Sequence, residues 1–455
     1  MSETTPAKVT PSALESTYRA KCMNAAAAVT HIRSRDHLFC AQVASGPRDI
    51  LYALDGLKQT SVKDVVLTTC LPLYDCPVFH DPEMKGILEH RSWFFNRFLM
   101  QAHREGLVSM IPNHSTTMLP KTLTRAKAEG RRPVLLATAS LPDEKGNLSL
   151  SISAMFERDL VDAGAYVIIE VNPNFPRTFG DTLIHLDEVD CIVESDYPVP
   201  EPPASKPGAI DVAIAGKVAS LIEDGATLQL GFGSIPDIVA RQLKDRKNLG
   251  IHTEMFTESM IDLIECGAVD NHHKGFLDGY SVCAFTFGSR RLYDYVDQNP
   301  AVLFKSCQFT NSSEIIGRNK QFVSVNAALE VDLTGQCSAE SIGLTQFSGS
   351  GGQEDTVRGA QRSPGGKSIL AMHSTFMEKQ ADGSRKMASK IVPFFKPGTA
   401  VTTSRNEVDY IVTEYGIAWL RGLTIAKRCQ ALIEIAHPAF REELQHTAKK
   451  SGLLI

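Results

Sequence analysis

Short apolar runs rich in β-branched residues recur along the chain, separated by stretches whose apolar residues return every three or four positions. In the first half, "DVVLTT" (64–69), "PVLLATA" (133–139) and "AYVIIEV" (165–171) predict strands buried on both faces. "FFNRFLMQAHREG" (94–106) predicts a helix that stops at its glycine. In the second half, "ATLQL" (226–230), "GIHT" (250–253), "FVSVN" (322–326), "SILAM" (368–372) and "DYIVTE" (409–414) predict strands. Helical spacing marks "DIVARQLKD" (237–245) and "IAKRCQALIEIA" (425–436). Continuous apolar strands alternating with helices predict α/β layers with largely parallel sheets.

One segment breaks the pattern. "YPVPEPPASKPGA" (197–209) holds five prolines and favours an extended, semi-rigid connection. It divides the chain into an N-terminal domain (1–197), a linker (198–209) and a C-terminal domain (210–455).

Composition narrows the class of function. A chain of 455 residues, 43% hydrophobic and 22% charged, exceeds one ordinary core and suits a multidomain globular enzyme. A net charge of −5 offers no general attraction to nucleic acid or anionic membrane, so neither is expected as a partner. No apolar stretch approaches the roughly 18 residues of a membrane span. The ten cysteines form no CxxC pair and sit in strand-like contexts such as "VDCIVES", as small buried hydrophobes in a reducing compartment. The N-terminal "MSETTPAKVTPSALESTYRAK" has no apolar signal core, and Glu3 and Glu15 speak against a transit peptide. A cytoplasmic setting follows as the expectation.

Three constellations in the second half carry chemistry. In "LQLGFGSIPD" (228–237) a strand runs into Gly231-Phe232-Gly233, with Pro236 suited to the first turn of the next helix. Strand, glycine turn and helix N-terminus together offer backbone N–H groups to an anion or a carbonyl oxygen. A dinucleotide fingerprint fails there, because Pro236 stands in the place of the third glycine. A tight turn without a ligand fits the same residues.

The second constellation is "LGIHTEMFTES" (249–259). Thr257 is a reasonable N-cap, Glu258 falls in the first helical turn where the macrodipole favours it, and Gly267 is a plausible stop. Glu254 falls at the carboxyl end of a strand, before the cap, on the sheet edge where α/β ligands bind. Spacing alone allows it three roles: a solvated loop glutamate, a ribose ligand about 20 residues after a glycine turn, or a working carboxylate. The third constellation is "QFSGSGGQED" (346–355), whose glycines would let backbone amides approach a ligand, followed by Lys367 in "SPGGKS", a possible phosphate partner. Together these features describe a carboxylate near backbone donors and an anionic ligand, which suits covalent acyl transfer.

Other chemistries lack support. His272 and His273 have no partners at ligand spacing, so no metal site is expected. There is no GxSxG elbow and no GxxxxGK[ST] loop.

At "VNPNFPRTFGD" (171–181), "DGATLQLGFGSIPD", "LGIHTEMF", "VDLTGQ", "SGSGGQED", "VDYIVTEYGIAWLRG" and "IAHPAFREEL" the chain resembles the acetyl-CoA hydrolase/transferase family of class I CoA-transferases. It is most similar to the branch of 4-hydroxybutyrate and butyryl-CoA:acetate CoA-transferases. The resemblance implies two open-sheet α/β domains with the active site in the cleft between them. It implies transfer of CoA between a short-chain acyl-CoA (butyryl, propionyl or 4-hydroxybutyryl) and a carboxylate such as acetate. Hydrolysis of acyl-CoA at the same site is the alternative, and a nucleotide-binding regulatory module is a more remote one.

The resemblance makes Glu254 the nucleophile, through an anhydride and then a glutamyl-CoA thioester. Gly231, Phe232, Gly233, Ser234 and Ile235 would contact CoA. Gly349, Gly351 and Gly352 would supply CoA contacts and oxyanion amides, and Lys367 a CoA-phosphate contact. Asn326 and Glu414 would orient the catalytic carboxylate, with Ser45 as the N-terminal counterpart. It implies no permanently bound cofactor, coenzyme A as substrate, and a homodimer or larger homo-oligomer. Two departures flank the pocket. Glu354, Asp355 and Thr356 stand where relatives carry an apolar residue, Asp and Phe, and Thr257, Glu258 and Ser259 where they carry Ser-Asp-Gly. Both place acyl specificity in question.

Overall fold

The computed structural model describes residues 11–203, 207–231, 233–380 and 382–454. In chain order the first half forms β1 (His37–Cys40), β2 (Val65–Cys70), β3 (Leu88–Phe94), β4 (Val108–Met110), β5 (Pro133–Ala139) and β6 (Tyr166–Val171). The two-residue β7 (Phe179–Gly180) follows, then β8 (Cys191–Glu194). All of these but β7 make a seven-stranded sheet in the order β8-β6-β5-β1-β2-β3-β4, parallel throughout. The apolar runs read as strands are buried along nearly their whole length because helices cover both faces, as parallel sheets require.

The second half forms β9 (Thr227–Leu230), β10 (Gly250–Phe256), β11 (Ser281–Thr286), β12 (Val302–Phe304), β13 (Phe322–Ala327), β14 (Lys367–Ala371), β15 (Tyr410–Thr413) and β16 (Gly416–Trp419). With β7 they make a nine-stranded sheet, β16-β15-β14-β13-β9-β10-β11-β12-β7, in which only the edge strand β16 runs antiparallel. From β9 the chain steps outward through β10, β11 and β12, then returns to place β13 on the other side of β9. Strand order therefore reverses at β9, and a crevice opens at the carboxyl ends of the strands on either side of it.

The two halves share one interior. Phe39, Trp93 and Leu135 of the first pack in a single apolar cluster with Met255, Phe285 and Tyr293 of the second. Two further clusters fill the other face of the first sheet and the body of the second. Within the proline-rich segment, residues 198–203 run outside helices and strands, and the Pro200 carbonyl accepts a hydrogen bond from the Tyr293 hydroxyl at 2.7 Å.

Two local expectations need correction. Residues 94–106 are not one helix. Phe94 ends β3, and the helix covers only Arg97–Arg104, because the Asn96 side chain accepts from the Phe98 and Leu99 amides and caps it there. The strand at "GIHT" runs on to Phe256, so Glu254 lies inside β10 rather than beyond its end. The helix after it is as read: Thr257 is the N-cap, Glu258 opens the helix Glu258–Glu265, and Gly267 follows its end at φ +79°.

Candidate active site

Glu254 sits where β10 parts from β9. The two strands pair only at Thr227–Gly250 and Leu228–Ile251, so the carboxyl-terminal part of β10 is open on that side. A cavity of about 410 Å³ fills the gap. Its floor comes from the second half, with Gly231, Glu254, Met255, Phe285 and Asn326. Its roof comes from the first half, with Gln42, Val43, Leu71, Trp93, Phe94 and Met118. The loop Ser348–Gln353 closes one side.

The carboxylate of Glu254 is gripped. The Asn311 amide Nδ2 donates to its Oε2, and Asn311 is itself fully buried. Gly352 lies against the same oxygen; a Cβ there would overlap both Glu254 Oε2 and Asn311 Nδ2. Gly352 has φ −91°, an ordinary value, so this glycine is demanded by the approach of the carboxylate and not by backbone strain. Gly352 is the N-cap of the helix Gln353–Arg362, so the positive end of that helix dipole lies beside the carboxylate. Burial pushes the Glu254 pKa above the ordinary carboxylate range, while the Asn311 and Ser115 side chains pull it back down.

The glycine loop clamps the two halves together. The Gly351 carbonyl accepts from the Ser115 amide at 3.0 Å, and the Ser350 hydroxyl donates to the Asn113 carbonyl. A Cβ on Gly349 would strike the Trp93 carbonyl oxygen. Asp355, just inside the helix, accepts from the Thr116 amide at 3.1 Å and the Thr116 hydroxyl at 2.7 Å. It thereby caps the N-terminus of the helix Ser115–Ala128 from the other half. Burial pushes its carboxyl up to about 7, Thr116 lowers it, and the neighbouring Glu254 raises it.

Asn326 forms part of the wall without bonding Glu254. Its Nδ2 donates to Ser324 Oγ at 2.9 Å and to Thr356 Oγ1 at 3.1 Å, and Ser324 in turn donates to Gln229. Thr356, one of the departures from relatives, is thus a member of a polar network rather than an apolar plug.

Of the residues expected from sequence, Glu254, Asn326, Gly231, Gly349, Gly351 and Gly352 line one cavity. Gly233 (φ +129°), Ser234 and Ile235 form the cap and first residues of the helix Ser234–Gln242 without lining it, and Phe232 lies outside the described residues. Three expectations fail on geometry. Lys367 starts β14, at the amino end of the strands and away from the carboxyl-end crevice, where its ammonium donates to the Leu221 carbonyl and to Glu223, each at 2.8 Å. Glu414 accepts from the Ser374 amide at 2.9 Å and hydroxyl at 2.6 Å, so it orients Ser374 and not Glu254. Ser45 is buried in the turn after Val43 and does not reach the cavity wall. His272 and His273 are exposed, and no group of metal-ligating side chains exists among the described residues. Nor is any helix among them long and apolar enough to cross a membrane.

Sequence reasoning passed over Asn311, Ser115, Asn113 and Gln42. Asn311 stands in the polar stretch "FTNSS" and Asn113 and Ser115 in "NHSTT", but no spacing links either stretch to Glu254.

A strand-borne carboxylate at a switch point, held by an amide and a glycine loop between two parallel α/β halves, defines a class. The chain belongs to the acetyl-CoA hydrolase/transferase family: the family's N-terminal domain matches residues 7–201 and its C-terminal domain residues 288–448. Its sequence is similar to the 4-hydroxybutyrate coenzyme A transferase of Clostridium kluyveri, 39% identical over 441 residues that cover 96% of this chain and 99% of that protein. It is also similar to the succinyl-CoA:cyclohexane-1-carboxylate CoA transferase of Geobacter metallireducens, 36% identical across 96% of this chain and 97% of that one. Its fold matches RipA from Yersinia pestis with a TM-score of 0.88 at 33% identity, covering 97% of this chain and 100% of that chain.

Proposed function

We propose that the protein is an acyl-CoA:carboxylate CoA-transferase that works through Glu254. The reading rests chiefly on one observation: a carboxylate held by Asn311 against Gly352, in a cavity walled by both halves. A carboxylate oxygen of Glu254 attacks the thioester carbonyl carbon of an acyl-CoA. The carbon–sulfur bond breaks, CoA thiolate leaves with the electron pair, and an acyl-glutamyl anhydride remains. The thiolate then attacks the glutamyl carbonyl, which expels the first carboxylate and leaves glutamyl-CoA thioester. A second carboxylate reverses both steps and departs as the new acyl-CoA. Each exchange trades a thioester or anhydride for another, so no ATP is consumed.

The surroundings suit those steps. An ordinary carboxylate is a weak nucleophile, so proximity and stabilisation of the developing oxyanion must provide the rate. In this reading the glycine loop at 349–352 and the turn at Gly231, both on the cavity wall, bring backbone to the reacting carbonyl, while Asn326, its amide held by Ser324 and Thr356, shapes the wall. Water would hydrolyse either intermediate, and the apolar roof of Trp93, Phe94 and Met118 keeps it out. The substrates in this reading are a short-chain acyl-CoA and a small carboxylate such as acetate, with coenzyme A as carrier and no resident cofactor. The division of the chain at 198–209 and assembly as a homo-oligomer belong to the same proposal.

Initial rates with acyl-CoA and acetate varied together test it. Parallel double-reciprocal lines and equal appearance of acetyl-CoA are expected. Free thiol released without acetyl-CoA would make the protein a hydrolase, and intersecting lines would sink the covalent route.

A further inference from the structure

The first turn of the helix Ser115–Ala128 belongs to the first half but is held by the second. Its N-cap His114 makes no side-chain capping bond, so its leading amides need partners from elsewhere. The Ser115 amide donates to the Gly351 carbonyl at 3.0 Å, and the Thr116 amide to the Asp355 carboxylate at 3.1 Å. The Thr116 hydroxyl donates to the same carboxylate at 2.7 Å. The Asn113 carbonyl accepts from the Ser350 hydroxyl, and the Ser115 carbonyl from the Cys307 thiol at 3.0 Å. Among the described residues, every hydrogen bond that 113–116 make outside their own turn and helix crosses to the second half. Farther along, the Thr122 hydroxyl accepts from Trp93 Nε1 at 3.1 Å, so the body of the helix is anchored in its own half.

This seam is also a wall of the cavity. Asn113, Ser115 and Met118 line it from one side, Ser350, Gly351 and Gly352 from the other. The short helix Cys307–Thr310, which supplies the thiol, ends at Asn311, the residue that grips Glu254. The helix Ser115–Ala128 packs against that short helix. Nucleophile and roof are therefore positioned from the same turn of the second half. A seam that parts admits solvent beside Glu254, where both intermediates of the exchange would sit.

Resting on the transferase reading, we propose that the bonding of Asp355 to Thr116 decides the acceptor, a carboxylate rather than water. With the seam closed, the acceptor acid and the apolar roof fill the space over the glutamyl-CoA thioester. With it parted, water enters from the side. The water oxygen then bonds the glutamyl carbonyl carbon, and the carbon–sulfur bond breaks. The thiolate leaves with the electron pair and takes one proton of the water. The other proton is released as the Glu254 carboxyl ionises, so the cycle ends in free CoA and no new acyl-CoA. Asp355 does not line the cavity; it is a positioning residue that acts through Thr116.

The measurement is the ratio of free thiol to acetyl-CoA formed in one sample of full-length enzyme with butyryl-CoA and acetate. That ratio does not depend on how much of the enzyme is folded, so a merely structural loss leaves it unchanged. Thr116→Val removes the hydroxyl donor at similar volume and should raise the ratio by about three- to tenfold, the range that one hydrogen bond provides. Asp355→Ala removes both bonds and should raise it further. Thr116→Ser keeps the donor and should match the wild type. If Asp355→Ala does not fold, Asp355→Asn, whose amide NH2 opposes the Thr116 amide, takes its place. A ratio unmoved in the folded Thr116→Val enzyme overturns the proposal, as does an equal rise in Thr116→Ser. In either case wild-type transfer persists and the transferase reading stands. A wild type that releases thiol and forms no acetyl-CoA overturns that reading and this inference with it.

Discussion

The two walls of the cavity do different work. The floor, from the second half, sets Met255 and Phe285 beside polar side chains that are held in place: Glu254 bonds Asn311, and Asn326 bonds Ser324 and Thr356. The roof, from the first half, is mostly apolar, with Gln42, Asn113 and Ser115 as its polar members and left-handed backbone at Val43 and Leu71. On the transferase reading, reaction chemistry falls mainly to the second half and contact with the rest of the substrate mainly to the first. Changes to the floor should alter rate whatever the substrate, and changes to the roof should alter which substrate is used.

The largest test of this division is at Glu254. Glu254→Gln removes the nucleophile while keeping the shape of the side chain, so turnover should fall by on the order of 10³-fold or more with every acyl-CoA. A loss confined to one acyl chain would move Glu254 from chemistry to recognition. Next comes Gly352→Ala. Its φ suits alanine, so the harm arises from the methyl group displacing the Glu254 carboxylate and Asn311. A shift of about 1 Å in a reacting group can cost roughly 10²-fold in kcat. Circular dichroism should show an intact fold; near-normal kcat would show that the loop yields and does not hold the carboxylate.

Asn311→Leu should have a smaller effect, about tenfold in kcat/KM, because it removes a hydrogen bond and leaves the nucleophile. Asn311 also lowers the Glu254 pKa, and Glu254 acts as the anion. The acid limb of the pH–rate profile should therefore move to higher pH in the variant. An unmoved limb with a reduced rate would make Asn311 a packing residue only.

A smaller effect concerns the clamp between the walls. Asp355 has its carboxyl raised from 3.8 to about 7 in the folded protein. Below about pH 3.8 both folded and unfolded chains hold the proton; above it the unfolded chain releases it first, so stability is lost as pH rises towards about 7. Melting temperature of the wild type should fall over that interval more steeply than that of Asp355→Asn. Parallel curves would remove Asp355 from the account. Smallest of all, Glu258→Ala gives up a helix-dipole contribution and an acceptor for the Ser289 hydroxyl, about 1 kcal/mol of stability, with near-normal turnover.

Much of the floor was legible in the sequence, Asn311 excepted, and the roof was not. Strands such as 133–139 declared themselves because burial on both faces writes an unbroken apolar run. Spacing left Glu254 three roles, and it was the resemblance of "LGIHTEMF" and "SGSGGQED" to the family that singled out Glu254 and the loop at 349–352. Gln42 and Asn113 come to the cavity wall from loops just past strand ends, and Val43 and Leu71 stand out only by their left-handed φ. None of these leaves a spacing pattern. Lys367 misled for the opposite reason: a lysine beside a glycine pair has the right composition for a phosphate site, but it lies at the amino end of its strand, away from the crevice. Residue type is written in the sequence, whereas the edge on which it lands depends on strand direction and length. The same gap shortened β10, whose last three residues run past Thr253 because Met255 and Phe256 still pair with β11.

The most direct test of the central claim is to trap the intermediate. Enzyme mixed with acyl-CoA, reduced with borohydride and digested should carry a reduced side chain at Glu254, identified by mass spectrometry of its peptide, and enzyme without acyl-CoA should carry none. Reduction at Glu258, or at no glutamate while transfer proceeds, would contradict covalent catalysis by Glu254.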